Sequence, residues 1–168
     1  MTEQLLVRDL MTVGVKTCGP QTPIVDLARL ILQEDLECVV VLDHEGHGIG
    51  TVSRDDLIKA YGLPDCCDLT AEDVMTDGVP QVPPDIPVTA AAQIMRDRGI
   101  RAVFMMHNAG GIIYPAAILT YTHILRHLAA QEADELNDLG IKAARQSPIE
   151  TFIQKRDAAR RGAQSQEE

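Results

Sequence analysis

The stretch DLMTVGVKTCGPQTP, residues 9–23, returns 64 positions later as DVMTDGVPQVPPDIP, residues 73–87. Carried on to residue 46, the same shift superimposes ten identities. Asp9, Met11, Thr12, Gly14, Val15, Pro20, Pro23, Ala28, Val39 and Gly46 fall on Asp73, Met75, Thr76, Gly78, Val79, Pro84, Pro87, Ala92, Val103 and Gly110. Beyond the turn the register slips by three, so Ser53 falls on Thr120 and Ile58 on Leu125. Self-similarity at one fixed spacing marks two copies of a unit of about 60 residues. Solenoid repeats are shorter and come in threes or more, so the chain reads as a duplicated domain and not as an array.

Both copies carry the same order of signals. A short strand at residues 15–18 (79–82) leads into a Pro-x-x-Pro segment, and Pro23 and Pro87 suit the first helical position, where a missing N–H costs nothing. Val25, Leu27, Ala28, Leu30, Ile31 and Leu32 form a helical apolar face, matched by Val88, Ala91, Ala92, Ile94 and Met95. The unbroken apolar run at 38–42 reads as a buried strand, as does 102–106. Residues 43–46 and 107–110 read as turns. A third strand at 48–52 (112–119, broken at Pro115) ends on a helix opening at Ser53 or Thr120. The expected fold class is therefore α/β (α+β), each unit a small β-sheet with two packed helices. The expected domains are residues 1–62 and 71–128, joined by a linker at 63–70 and followed by a C-terminal helical extension at 129–168. One unit has too little core to be comfortable alone, but two can bury their sheets against each other.

The 168 residues carry 15 basic and 25 acidic side chains, a formal charge of −10. Residues 129–168 hold eight acids and six bases, which leaves −8 on residues 1–128. Nucleic acid is not expected as a partner, because tracking a phosphate backbone needs clustered cations, and 3% aromatics with no Trp leave no stacking platform. A small anion remains compatible, held by a few N–H groups and one or two Arg. Residues 102–125 lack any charge but contain His107, Asn108, Gly110, Gly111 and Pro115, so they read as two strands and a helix start and not as a membrane span. The N-terminus MTEQLLVRDLMT shows no signal-peptide pattern, and four cysteines without paired metal spacing predict a reducing, cytoplasmic setting.

VRDLMT at 7–12, PQTP at 20–23, CVVVLDHEG at 38–46 and GTVSRDDL at 50–57 in the first copy, with EDVMT at 72–76, PDIP at 84–87 and AILT at 117–120 in the second, resemble the cystathionine-beta-synthase (CBS) domain. Two in tandem resemble a Bateman module, and the resemblance covers about residues 7–60 and 70–128. It implies a regulatory sensor without enzymatic activity that binds adenosine-containing ligands (AMP, ADP, ATP or S-adenosylmethionine) between the two domains and pairs as a homodimer read by an unknown effector protein. It also implies site residues. In Gly50-Thr-Val-Ser53-Arg54-Asp-Asp56, the Ser53 hydroxyl would meet phosphate, Asp56 the ribose diol, and Arg54 a phosphate. Val15, Lys16 and Thr17 would line the adenine side, and Arg101 and Thr120 would serve the second copy. Read from the residues alone, Ser53-x-x-Asp56 is equally an N-cap with an acid at N3, and the two roles are compatible. Copy two departs from the pattern. His123 stands where Asp is expected and Ala117 where Gly is, so one intact and one altered site are expected.

His123 with His127 and His44 with His47 have ligand-compatible spacing but no evident third ligand, so no metal site is expected. Cys66 and Cys67 lack basic neighbours that would activate a thiolate. No nucleophile elbow, P-loop or Gly-rich dinucleotide turn occurs. In the tail, Ser147-Pro148-Ile149-Glu150 reads as a helix start, serving either packing on the module or its dimer mate, or effector docking. The alternative to ligand sensing is a structural, dimerising module acting through these C-terminal helices.

Overall fold

A computed structural model describes residues 5–130; the predicted tail helices, including the one opening at Ser147, lie outside the described residues. The elements run α1 (Val7–Leu10), β1 (Thr12–Val13), β2 (Thr17–Cys18), α2 (Ile24–Gln33), β3 (Cys38–Leu42), β4 (Gly48–Ser53), α3 (Arg54–Tyr61), a 3₁₀ turn (Cys66–Asp68), α4 (Ala71–Val74), β5 (Thr76–Asp77), α5 (Val88–Arg98), β6 (Ala102–Ala109), β7 (Ile112–Thr120) and α6 (Tyr121–Ala129). The mixed α/β class is as expected, and so is the strand–helix–strand–strand–helix order of copy one; copy two keeps the order from α5 onward.

The two sheets do not follow the repeat. One has the order β2-β3-β4-β5 and the other β1-β7-β6. Strand β5 of copy two therefore pairs with β4 of copy one (Gly50 with Asp77, Thr51 with Thr76). Strand β1 of copy one pairs with β7 of copy two (Val13 with Ala117, Thr12 with Ile118). Each copy lends its first turn and strand to the other. The hydrogen bonds anchoring these lent segments recur with the copies exchanged. Val7 N–H donates to the Ile86 carbonyl (2.9 Å) and Ala71 N–H to that of Thr22 (2.8 Å). Arg8 N–H donates to Pro84 (3.0 Å) and Glu72 N–H to Pro20 (2.9 Å). The Arg8 and Asp85 side chains are paired, as are those of Gln21 and Glu72.

The cores explain the unbroken apolar runs. Val39 and Val41 of β3 face Leu27, Ile31, Val52 and Ala71, with α2 on that side. Cys38 and Val40 point to the opposite face, against Ala102 and Phe104 of β6. Val103 faces a third cluster with Val82, Val88, Ala91, Met95 and Leu119, completed by Val7 and Leu10 from the lent α1. Each sheet is thus covered on both faces, which removes the polar alternation of a half-exposed strand. Gly50 has no room for a side chain, since a Cβ would lie 2.7 Å from Met75 Sδ and 2.8 Å from the Thr76 carbonyl oxygen. The close seat of β5 requires glycine there.

Several local expectations are corrected. The strand predicted at 15–18 is reduced to Thr17–Cys18, and its counterpart at 79–82 to a single parallel bridge between Gln81 and Phe104. Pro80, Pro83 and Pro84 lack the N–H groups a ladder needs. The turn predicted at 107–110 is strand. β6 runs on to Ala109, and the chain reverses at Gly110 and Gly111, whose φ values of 62° and 86° suit a two-residue hairpin turn. Strand β7 is not broken at Pro115, because a register shift between Met105 and Met106 absorbs the missing donor. Pro23 and Pro87 are cap residues, with extended ψ of 140° and 142°, and the helices begin one residue later. Residues 102–125 form β6, β7 and the start of α6, and no helix among the described residues is long and apolar enough to cross a membrane.

Candidate functional site

Strand β4 delivers the chain into α3 at Ser53, the helix N-cap, with φ −99° and ψ 169°. The Ser53 amide donates to Asp56 Oδ2 (2.9 Å), the Ser53 hydroxyl donates to the same oxygen (2.6 Å), and the Asp56 amide returns a bond to Ser53 Oγ (3.2 Å). Thr76 of the lent strand β5 donates its hydroxyl to Asp56 Oδ1 (3.2 Å). Asp56 is 8% exposed, so these bonds are what make its burial tolerable. A carboxylate has about four acceptor sites, and three are taken.

Ser53, Arg54 and Asp56 line a cleft of about 530 Å³ together with Thr76 to Pro80, Arg98 to Ala102, and Phe104 at its floor. Four cations (Arg54, Lys59, Arg98 and Arg101) and four acids share its walls. The cations are already engaged in part. Arg54 donates through Nε to the Leu36 carbonyl (2.8 Å) and pairs with Asp35 (2.7 Å). Arg101 of copy two reaches across to Asp55 of copy one (3.6 Å). Cys38 beside the cleft is held as a thiol, its pKa pushed up to about 12 by burial and then by the Glu37 and Asp56 carboxylates.

Of the residues singled out from the sequence, Ser53, Arg54, Asp56 and Arg101 come together here. Val15, Lys16, Thr17 and Thr120 do not line this cleft. Val15 packs on the interface between the sheets, Lys16 pairs with Glu34 (3.2 Å), and Thr17 lies opposite Val40. The exchange of first strands explains this. The segment beside Ser53 is residues 76–80 of copy two, the counterparts of 12–16. Thr76, Lys59 and Arg98 were not found by sequence reasoning. The identity of Thr12 with Thr76 across the repeat was the available signal for the first.

Thr120 and His123 build the matching corner at α6. The Thr120 amide donates to His123 Nδ1 (3.1 Å) and the His123 amide to Thr120 Oγ1 (3.3 Å). His123 Nε2 lies 3.0 Å from the Thr12 hydroxyl of the lent strand β1. Since Nδ1 accepts, the neutral ring carries its hydrogen on Nε2. Burial, and secondarily the Arg126 charge, hold the His123 pKa below the usual histidine value. The imidazole thus takes over the structural contacts that Asp56 makes in copy one.

The CBS domain family matches residues 7–63 and 71–130. The chain belongs to the CBS-domain family. As a CBS pair it is 29% identical over 104 residues to an uncharacterized 17.7 kDa protein in the bps2 3′ region of Acidianus ambivalens, a match covering 62% of this chain and 63% of that protein. Among solved structures, the CBS domain pair of protein MJ0100 in complex with 5′-methylthioadenosine and S-adenosyl-L-methionine matches at a TM-score of 0.67, 22% identity, 77% of this chain and 100% of that one. CBSX2 in complex with AMP matches at a TM-score of 0.58, 21% identity, 74% of this chain and 96% of that one. At these identities the likeness is one of fold.

Proposed function

We propose that this CBS pair is a regulatory module, without catalysis of its own, that senses an adenosine-containing ligand in the cleft beside Ser53 and Asp56. The observation that carries the reading is the convergence on one cleft of a helix N-terminus, a buried carboxylate and four cations drawn from both copies. Such a wall suits a molecule with a vicinal diol at one end and an anion at the other. Complexes of similar folds with AMP and with S-adenosyl-L-methionine support the ligand class. AMP, ADP, ATP and S-adenosylmethionine are the candidates. Binding would use the free acceptor site of Asp56 and draw Arg54 or Arg101 from its present partner. A ligand held by both copies favours one relation between them, and that differential affinity is what a switch needs. The corner at Thr120 and His123 is the altered second site, since a neutral imidazole spent on capping has no acceptor left for a diol. The module would act in the cytoplasm, read by an effector protein.

Calorimetric titration of the four candidates tests this. Asp56→Asn is expected to weaken binding by about tenfold or more while leaving the fold intact, in line with the 1.5–3 kcal/mol of a charged hydrogen bond. Affinity unchanged by the substitution would remove Asp56 from the site.

A second reading has its own observation. Ile58, Tyr61 and Leu128, on α3 and α6, are 73%, 80% and 78% exposed. Ile58 and Leu125 occupy equivalent positions in the two copies, so the apolar surface is duplicated with the fold. This supports a homodimer formed through these helices.

A further inference from the structure

The β3–β4 turn brings together three side chains that the cleft does not use. Asp43, Glu45 and His47 place one ligand atom each within 4.8 Å of one another. His47 Nδ1 lies 3.4 Å from Asp43 Oδ2 and 3.5 Å from Glu45 Oε2. Bonds of 2.0–2.1 Å from a tetrahedral metal put adjacent ligand atoms about 3.3 Å apart, so these spacings match the edges of such a site.

An observation outside the trio points the same way. His47 Nε2 donates to the carbonyl of Gly111 (3.2 Å), at the hairpin turn of copy two. A ring anchored to a backbone carbonyl through one nitrogen turns the other toward the metal, which is the usual outer support of a metal-bound histidine. Asp43 is also oriented, its Oδ1 accepting from the amides of Glu45 and His47 (2.9 Å each), which leaves Oδ2 toward His47. In copy two the corresponding positions are His107, Ala109 and Gly111, so the trio occurs once. Three ligands fall short of the six to eight oxygens that calcium takes, and a nitrogen donor favours a first-row transition metal.

We infer that Asp43, Glu45 and His47 form a binding site for a divalent first-row transition metal, with a fourth position open to water, which ties the β3–β4 turn of copy one to the β6–β7 turn of copy two. The site is separate from the cleft and independent of any nucleotide.

Zinc alone is the probe. The full chain, prepared without a histidine tag, is titrated with zinc by calorimetry, with cobalt absorption as the check on tetrahedral geometry. One zinc per chain is expected. His47→Ala and Glu45→Gln are each expected to weaken binding by about tenfold or more. His44→Ala and the double variant Cys66→Ser, Cys67→Ser are expected to keep wild-type affinity. Glu45 is exposed, so its variant carries the test even if His47→Ala fails to fold. No uptake by the wild type, wild-type affinity in a folded His47 or Glu45 variant, or loss of binding in the cysteine variant would each overturn the assignment.

Discussion

His123 and Asp56 occupy equivalent corners but bond differently: Asp56 accepts from the Ser53 amide and from the Ser53 and Thr76 hydroxyls, whereas His123 accepts from the Thr120 amide at Nδ1 and donates from Nε2 to the Thr12 hydroxyl. Each closes a capping box and ties down a threonine from a lent strand, Thr12 or Thr76. The imidazole does so only while neutral. Protonation at Nδ1 would set its N–H against the Thr120 amide, with Arg126 adding repulsion. The folded-state pKa of His123 lies below the value near 6.5 of the unfolded chain. On acidification the unfolded chain therefore takes up this proton first. The contribution of His123 is complete above about pH 6.5 and is lost as pH falls through the folded pKa. Thermal melts from pH 7.5 to pH 5 should show the wild type losing more stability than His123→Asp, whose carboxylate can accept from both Thr120 and Thr12. Superimposable profiles would remove this role for the ring. The Ser/Thr-x-x-Asp pattern was legible, but its meaning was not. Thr70 and Asp73 form the same box (2.8 and 2.9 Å), so the motif by itself marks a helix start. Position on the cleft wall is what distinguishes Asp56.

At the scale of elements, the exchange of α1–β1 against α4–β5 governs stability. Leu10 belongs to copy one by sequence and to the core of copy two by contact, beside Val82, Val88 and Met95. Leu10→Ala leaves a cavity under α5. It is expected to cost about 2–5 kcal/mol, the range for buried leucines. Urea unfolding monitored on both copies should show the loss in one shared transition. A copy-one signal unchanged by Leu10→Ala would mean that the copies melt separately. The repeat displayed the element order plainly, because duplication doubles every apolar period and turn signal. It carried no information on which sheet each first strand joins. Two-residue strands such as β1 and β5 have almost no pattern of their own. The steric clue, Gly50, gains its meaning only when β5 lies against it.

At the scale of the molecule, charge and apolar surface have separate roles. With an acidic body, the proposed adenosine-containing ligand, where it is anionic, would be drawn in by the local cations Arg54, Lys59, Arg98 and Arg101, and its affinity should then fall as salt rises. The exposed apolar residues of α3 and α6 are the surface on which the proposed homodimer rests. Ile58→Asp is expected to convert the proposed dimer into a monomer by light scattering, without lowering the melting temperature of the fold itself, because Ile58 is largely exposed. A dimer that survives Ile58→Asp would place the interface elsewhere.

Duplication, element order, the buried apolar strands, the capped helix at Ser53 and the acidity are properties of local sequence, where period and propensity act over a few residues. The cleft is not local. Asp56 comes from one copy, while Thr76, Arg98 and Arg101 come from the other. His47 meets the Gly111 carbonyl across 64 residues. The short-range pattern of β1 and β5 is too weak to choose a sheet. Burial of Val7, Leu10 and Ala71 in the opposite copy's core decides that choice, and with it which residues share the cleft.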